Sequence, residues 1–283
     1  MRRCITLLIL LSSQHIGAQE PAAAPPILVL DSGGHTSMVK KVLFTPDGKE
    51  LISVSDDKTI RFWDVASGEP IRVLRPPIGP GDEGRLYAAA LSPDGRTLAV
   101  GGWGLKDAIG SIYLISVATG RIERVLKGHT NVIISLAFAV PPGGRLLLAS
   151  GSADNTARIW DVATGECRRV LEGHTDRVKG VAFAPDASRL ATASYDKTAR
   201  IWSVAEGNCL FTLQGHTEEV SSVAWSPDGK LLATGRLGSV DQVLEPGRNP
   251  LPKHRESGQL DQFGHVHRRL PRAALHLGRA RCR

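Results

Sequence analysis

Short apolar runs alternate with polar turns along most of this chain. Five runs begin a repeating pattern: VKKVLF, LYAAAL, VIISLAF, VKGVAF and VSSVAW. Each is followed by a turn containing Pro, Asp or Gly, and then by a second apolar run such as LISVS or LATAS. Runs this short and rich in β-branched residues favour strands, and the turns between them favour hairpins. The pattern therefore predicts an all-β protein.

Two further runs complete each repeat. The third is typified by TARIWDV and the fourth by CRRVL, which gives four predicted strands in a unit. The dipeptide Gly-His marks the units at His35, His129, His174 and His216. We predict units at about 33–75, 85–126, 127–171 and 172–213, and a partial unit at 214–235.

Three of the units share a fixed set of polar and aromatic residues. A Ser or Thr, an Asp and a Trp stand at −4, 0 and +6 relative to the Asp, and a His precedes them. The sets are His35, Ser53, Asp57 and Trp63; His129, Ser150, Asp154 and Trp160; and His174, Thr192, Asp196 and Trp202.

These features together resemble the WD-repeat (WD40) family of β-propellers over residues 26–235. The resemblance implies four-stranded blades arranged radially about a central channel. It also implies that each set forms a buried chain of hydrogen bonds from Trp through Ser or Thr and His to Asp. About four and a half blades are present, whereas propellers of the family commonly have seven, so we predict an incomplete ring.

The His, Asp and Ser of each set also suggest a catalytic triad. A catalytic nucleophile is expected once, in a cleft with an oxyanion site, whereas these sets recur at one register and include a Trp. We therefore interpret them as structural hydrogen-bond networks. We predict no catalytic residue, no cofactor and no metal site, and that the protein is not an enzyme.

The second unit departs from the pattern. Ile115 stands where a Trp is expected, and the Gly-His is replaced by EGRLY. Inserted loops at 75–84 and 105–110 lie near Tyr87 and Trp103. Either this is a blade that has lost the motif and tolerates its loops, or the loops form a ligand-binding surface.

Basic charge is concentrated at the end of the chain. Residues 236–283 carry ten Lys or Arg against four Asp or Glu, whereas residues 19–235 carry 23 against 24. The repeats thus lack the charge expected of a nucleic-acid-binding protein. The tail 236–283 is interpreted as disordered or as the product of a shifted reading frame, because the spacing of its His residues matches no zinc pattern. Codons for residues 236–245, read one base out of register, can restore an Asp and a Trp at the repeat spacing.

The N-terminus has the layout of a secretory signal peptide. Arg2 and Arg3 precede an apolar run from Ile5 to Leu11, and Gly17 and Ala18 follow. A buried strand or a membrane anchor are the alternatives, but the run is shorter than the roughly 20 residues that span a bilayer. We predict a signal peptide over residues 1–18 and an exported protein.

The family resemblance implies a non-catalytic scaffold for protein–protein interaction, with partners bound by loops at one face of the ring. The chain would then be a fragment of a longer protein. The alternative is the propeller part of a secreted enzyme whose catalytic domain is missing from this chain. Open blade edges also allow self-association. The candidate partner face comprises Asp56, Ala153, Tyr195, Arg177 and Glu219.

Overall fold

A computed structural model describes residues 33–236 and the backbone of residues 239–244. Apart from a short 3₁₀ helix at Lys106–Ala108, the regular structure of this part is entirely β. The predicted signal peptide lies outside the described residues, as does most of the predicted tail. In the described part, no helix is long and apolar enough to span a bilayer.

The strands form four sheets of four strands and one sheet of three. The first sheet comprises β1 (Val39–Phe44), β2 (Glu50–Ser55), β3 (Ile60–Asp64) and β4 (Pro70–Leu74). The second comprises β5 (Leu86–Leu91), β6 (Thr97–Gly102), β7 (Ile112–Ser116) and β8 (Ile122–Leu126). The third comprises β9 (Ile133–Ala139), β10 (Leu147–Ser152), β11 (Ala157–Asp161) and β12 (Cys167–Leu171). The fourth comprises β13 (Val178–Phe183), β14 (Arg189–Ser194), β15 (Ala199–Ser203) and β16 (Cys209–Leu213). The fifth comprises β17 (Ser222–Trp225), β18 (Leu232–Arg236) and β19 (Ser239–Leu244).

Every sheet is an antiparallel meander in chain order. The first strands of consecutive sheets, β1, β5, β9, β13 and β17, contact one another in succession. These strands are therefore the inner ones, and the fourth strands lie outside. The sheets are blade-like and do not close into a ring, which confirms the prediction of an incomplete propeller.

The hydrophobic core lies between consecutive sheets. In the cluster between the first two, Ile52 and Phe62 pack with Leu98 and Ile115. Similar clusters fill the next three interfaces. Full burial of one such side chain contributes roughly 1.5–3 kcal/mol, so each sheet depends on its neighbours for stability.

The second sheet is complete despite its irregular sequence. Ile115 pairs with Leu98 as Trp63 pairs with Leu51, so Ile115 stands in the position of the Trp. By the same register, Val100 stands in the position of Ser53. Val100, Tyr113 and Ile115 are buried in one apolar cluster. This sheet thus replaces the polar set by apolar packing, which needs no hydrogen-bond partners.

The fifth sheet extends beyond residue 235, where the sequence pattern ends. The backbone of Ser239–Leu244 pairs with β18, and Leu244 lies opposite Leu232. Position 244 in the fifth sheet therefore corresponds to that of Trp202 in the fourth sheet, which pairs with Leu190. The chain therefore continues the blade here without the motif that marks it elsewhere.

We expect the chain to self-associate, because the first and fifth sheets do not pack on each other in the described part of the chain, and unpaired sheet faces and edges promote association. Light scattering of the purified full chain should show oligomers whose proportion grows with protein concentration. A single monomeric species that melts cooperatively at every concentration would contradict this prediction.

Candidate functional site

Each repeated polar set forms one continuous hydrogen-bonded chain. In the third sheet, Trp160 Nε1 donates to Ser150 Oγ at 2.8 Å. Ser150 Oγ lies 2.7 Å from His129 Nε2, and His129 Nδ1 lies 2.7 Å from Asp154 Oδ2. A neutral His129 protonated at Nδ1 satisfies all three contacts, since it accepts from the serine and donates to the carboxylate.

Asp154 links the loop before β9 to the turn between β10 and β11. Its Oδ2 also accepts the Thr130 N–H at 3.0 Å, and its Oδ1 accepts the N–H and the hydroxyl of Thr156 at 2.9 and 2.7 Å. Burial opposes ionisation of Asp154, but the hydrogen bonds from His129, Thr156 and Thr130 outweigh it and hold its pKa well below the usual range. Burial lowers the pKa of His129, against the opposing effect of Asp154.

The other two sets have the same geometry. In the first sheet, His35 lies 2.7 Å from Ser53 Oγ and 2.8 Å from Asp57 Oδ2, while Trp63 donates to Ser53 at 2.8 Å. In the fourth sheet the corresponding distances, for His174, Thr192, Asp196 and Trp202, are 2.7, 2.7 and 2.9 Å. In the fifth sheet, His216 Nε2 lies 2.9 Å from Thr234 Oγ1.

These sets are unsuited to nucleophilic catalysis. Ser150 and Thr192 are completely buried, and each hydroxyl is engaged by both a Trp and a His. A substrate carbonyl therefore has no path to the oxygen. A complete buried network of this kind stabilises one arrangement of strands and loops.

The three network tryptophans differ in burial, which predicts different sensitivities to substitution. Trp160 is 1% exposed between two sheets, whereas Trp63, in the first sheet, is only partly buried. We expect Trp160→Phe to lower the free energy of unfolding by about 2–3 kcal/mol, through a lost hydrogen bond and a cavity. Trp63→Phe should cost about half as much, and Trp103→Phe, at an exposed site, less than about 0.5 kcal/mol. Urea unfolding followed by circular dichroism measures all three, and equal losses would contradict the account.

A second group of side chains lies at the end of the sheets where the inner strands begin. A β-bulge interrupts the pairing of β1 between Val39 and Lys41, and that of β5 and β13 at the same place. The bulged residues are Lys40, Tyr87 and Lys179, and Ile134 takes the same place in β9. Bulges commonly redirect a side chain and recur next to functional sites.

The bulged side chains of Lys40 and Tyr87 contact each other, whereas that of Lys179 contacts Tyr195. Lys40 Nζ lies 5.5 Å from the centre of the Tyr87 ring and 3.1 Å from Asp56 Oδ2. Lys179 Nζ lies 5.3 Å from the centre of the Tyr195 ring, and the Arg177 guanidinium lies 5.7 Å from it. We call this surface the mouth; it comprises Met38, Lys40, Asp56, Tyr87, Trp103, Arg177, Lys179, Tyr195 and Glu219.

Three of the predicted partner-face residues occupy one equivalent position. The N–H groups of Asp56, Ala153 and Tyr195 each donate to a carbonyl in the loop before the inner strand of their own sheet, at 2.9–3.1 Å. Trp103 makes the same hydrogen bond to Arg85 at 2.9 Å. Trp103 is therefore the equivalent residue of the second sheet, and it is 39% exposed.

Arg177 and Glu219 lie in the loops before the fourth and fifth sheets, and both are exposed. The negative charge of Glu219 acts on both Lys179 and Tyr195. The partner face predicted from sequence included these two residues but not Lys40, Lys179 or Trp103, although Trp103 was noted beside the inserted loops. Trp103 was detectable, because it follows Val100 at the interval at which Asp56 follows Ser53.

The inserted loop 75–84 contacts the first sheet on the same side. Lys58, in the turn after β2, donates from Nζ to the Gly79 carbonyl at 2.7 Å. The insertion therefore lies beside the mouth, which favours the interpretation that the second unit contributes to a binding surface. Among residues 33–236, no group of three or more His, Cys, Asp or Glu could hold a metal ion.

Comparison with known proteins places this chain among repeat proteins. A family model described as WD domain, G-beta repeat matches residues 26–64, 120–161, 165–203 and 207–244. Residues 65–119, which contain most of the second sheet, fall outside these matches although the sheet itself is complete.

Similar proteins share only part of their length with this chain. Nuclear distribution protein nudF 2 of Penicillium rubens is 34% identical over 139 residues, which are 45% of this chain and 29% of that protein. An uncharacterized WD repeat-containing protein of Synechocystis is 32% identical over 142 residues, 50% of this chain and 37% of that protein. The guanine nucleotide-binding protein subunit beta of Arabidopsis thaliana is 28% identical over 133 residues, 45% of this chain and 33% of that protein. The chain thus spans less than two fifths of the length of each. Because the family model matches more than half of the residues as four separate repeats, this chain belongs to the WD-repeat family.

Proposed function

We propose that this chain is a non-catalytic scaffold that binds protein partners at the mouth. The observation that carries the proposal is the distribution of side chains. The His, Ser or Thr, Asp and Trp sets are buried and satisfied within the sheets, whereas the mouth presents exposed or half-buried aromatic and charged groups. Aromatic residues and Arg on a rigid support are typical of binding hot spots.

The relatives support an interaction function. One is named as a subunit of a guanine nucleotide-binding protein, and proteins of this repeat family generally act as scaffolds. We propose further that the chain is part of a longer protein. A secreted enzyme that carries this propeller beside a catalytic domain stays an alternative prediction.

Selection of peptides from a random display library on the immobilised full chain tests the proposal. Bound peptides should lose affinity about tenfold or more on Tyr195→Ala or Trp103→Ala, because truncation of an aromatic hot spot typically has effects of this size. Phe44→Ala is the matched control, since Phe44 is 60% exposed at the opposite end of β1. Binders that respond only to Phe44→Ala would refute a partner site at the mouth.

We propose that the protein is exported and that residues 1–18 are removed. The support is the arrangement of Arg2, Arg3 and the apolar run before Ala18. In a Gram-negative host, the mass of the periplasmic protein should be that of a chain that begins at Gln19. The Leu8→Arg variant should stay unprocessed in the cytoplasm, because a charge interrupts the apolar run. An unprocessed wild-type chain in the cytoplasm would refute export.

A further inference from the structure

The cations of the mouth differ in how they are paired. Lys40 Nζ lies 3.1 Å from Asp56 Oδ2, and Arg177 Nε lies 3.7 Å from Asp176 Oδ1 in an exposed pair. Lys179 has no carboxylate within ion-pair distance among the described residues, although it is half-buried. Its neighbour is instead the Tyr195 ring, whose centre lies 5.3 Å from Nζ. A half-buried ammonium without an anion is an unusual arrangement, because burial of a charge is costly without a partner.

The charges around Lys179 increase this cost. Burial lowers the pKa of Lys179, and so do the positive charges of Arg177 and Lys40, while Glu219 acts in the opposite direction. Lys40 and Lys179 occupy the same bulge position in the inner strands of the first and fourth sheets, and the charge of Lys40 acts on Lys179. A single anion bound there would interact favourably with several cations at once.

The neighbouring groups indicate what kind of molecule carries the anion. Asp56 Oδ1 is buried and accepts no hydrogen bond within the described part of the chain, so it offers an acceptor to an incoming N–H group. Trp103 and Met38, 39% and 65% exposed, supply apolar surface at the same end. A peptide provides a carboxylate, backbone N–H groups and apolar side chains together. A nucleic acid is disfavoured, because its phosphate backbone offers no N–H donor to the Asp56 carboxylate.

We propose that the mouth binds an acidic segment of a partner protein, with a carboxylate of that segment on the Lys179 ammonium and a backbone N–H on Asp56. The inference rests on the proposed scaffold function and specifies the chemistry of the partner. Lys179 is the cation expected to bind the partner's carboxylate, since Lys40 and Arg177 already have carboxylate partners.

Fluorescence anisotropy with defined probes tests this inference on the full chain. The probes are fluorescein-labelled hepta-glutamate, the matched hepta-glutamine and a ten-residue oligothymidylate. Lys179→Gln removes the charge and Lys179→Arg keeps it. Lys230→Gln is the matched control, because Lys230 is an exposed lysine in the turn between β17 and β18, at the opposite end of the sheets. Melting temperatures establish that each variant is folded.

Hepta-glutamate should bind, and Lys179→Gln should weaken it about tenfold, which corresponds to about 1.4 kcal/mol. Lys179→Arg and Lys230→Gln should stay within about threefold of the wild type, and hepta-glutamine should not bind. The inference is overturned if hepta-glutamate does not bind, if Lys179→Gln and Lys230→Gln weaken it equally, or if oligothymidylate binds as tightly. Display-selected peptides that lack Asp and Glu but depend on Tyr195 would overturn this inference alone. Selected peptides whose binding is unaffected by Tyr195→Ala and by Trp103→Ala would overturn the scaffold proposal as well.

Discussion

We expect the Asp154→Asn substitution to lower the free energy of unfolding by about 3 kcal/mol. The carboxylate of Asp154 accepts hydrogen bonds from His129, Thr130 and Thr156, and an amide cannot accept all of them. The amide NH₂ would face either the His129 N–H or the donors of Thr156. Hydrogen bonds to a charged group contribute about 1.5–3 kcal/mol each, and an unsatisfied buried donor adds to the loss. Urea unfolding at neutral pH measures the difference.

The matched control is Asp107→Asn. Asp107 is an exposed aspartate in the short 3₁₀ helix and should change stability by less than about 0.5 kcal/mol. If the sets are structural, Asp154→Asn changes peptide binding only in proportion to the unfolded fraction. Loss of a specific activity at unchanged stability would instead place Asp154 in a functional site.

We expect stability to fall when the pH is lowered below about 6.5, the ordinary pKa of histidine. The pKa values of His129 and His174 are lowered in the folded protein, chiefly by burial. The unfolded chain therefore binds more protons between pH 6.5 and the folded-state pKa values, so acid favours unfolding there. Two such histidines give a slope of up to about 2.7 kcal/mol per pH unit.

The lowered pKa values of Asp154 and Asp196 extend this loss to lower pH. Their stabilisation is present above the ordinary aspartate value of 3.8 and is lost as the pH falls towards the folded-state pKa values. Urea midpoints measured from pH 8 to pH 2 give the stability profile, and NMR titration of the His129 and His174 imidazoles gives their folded-state pKa values. Constant stability between pH 7.5 and 5.5, or folded-state imidazoles that titrate above 6.5, would contradict the account.

The repeat made the fold predictable from sequence. Strand runs, turn residues and the spacing of Ser150, Asp154 and Trp160 recur together, and the structure brings these side chains into contact. The second sheet was harder to interpret, because Val100 and Ile115 keep its register while removing the polar motif. Backbone pairing and apolar packing therefore preserve a blade after its motif has gone.

The mouth was only partly predictable. Asp56, Ala153 and Tyr195 were predicted because each directly precedes the Asp of its own set. Lys40 and Lys179 gain their importance from β-bulges, which depend on pairing between strands and leave no residue signature in the sequence. The strand Ser239–Leu244 was missed because its residues lack the motif, although its backbone keeps the register of the fourth sheet.

Site-specific photo-crosslinking inside the cell tests the partner site most directly. A benzoyl-phenylalanine side chain is placed at position 195 or 103 at the mouth, and at position 230 at the opposite end, in the full chain. We expect discrete protein adducts from positions 195 and 103 and none from position 230. Adducts from position 230, with none from positions 195 and 103, would show that partners bind elsewhere and would contradict the account.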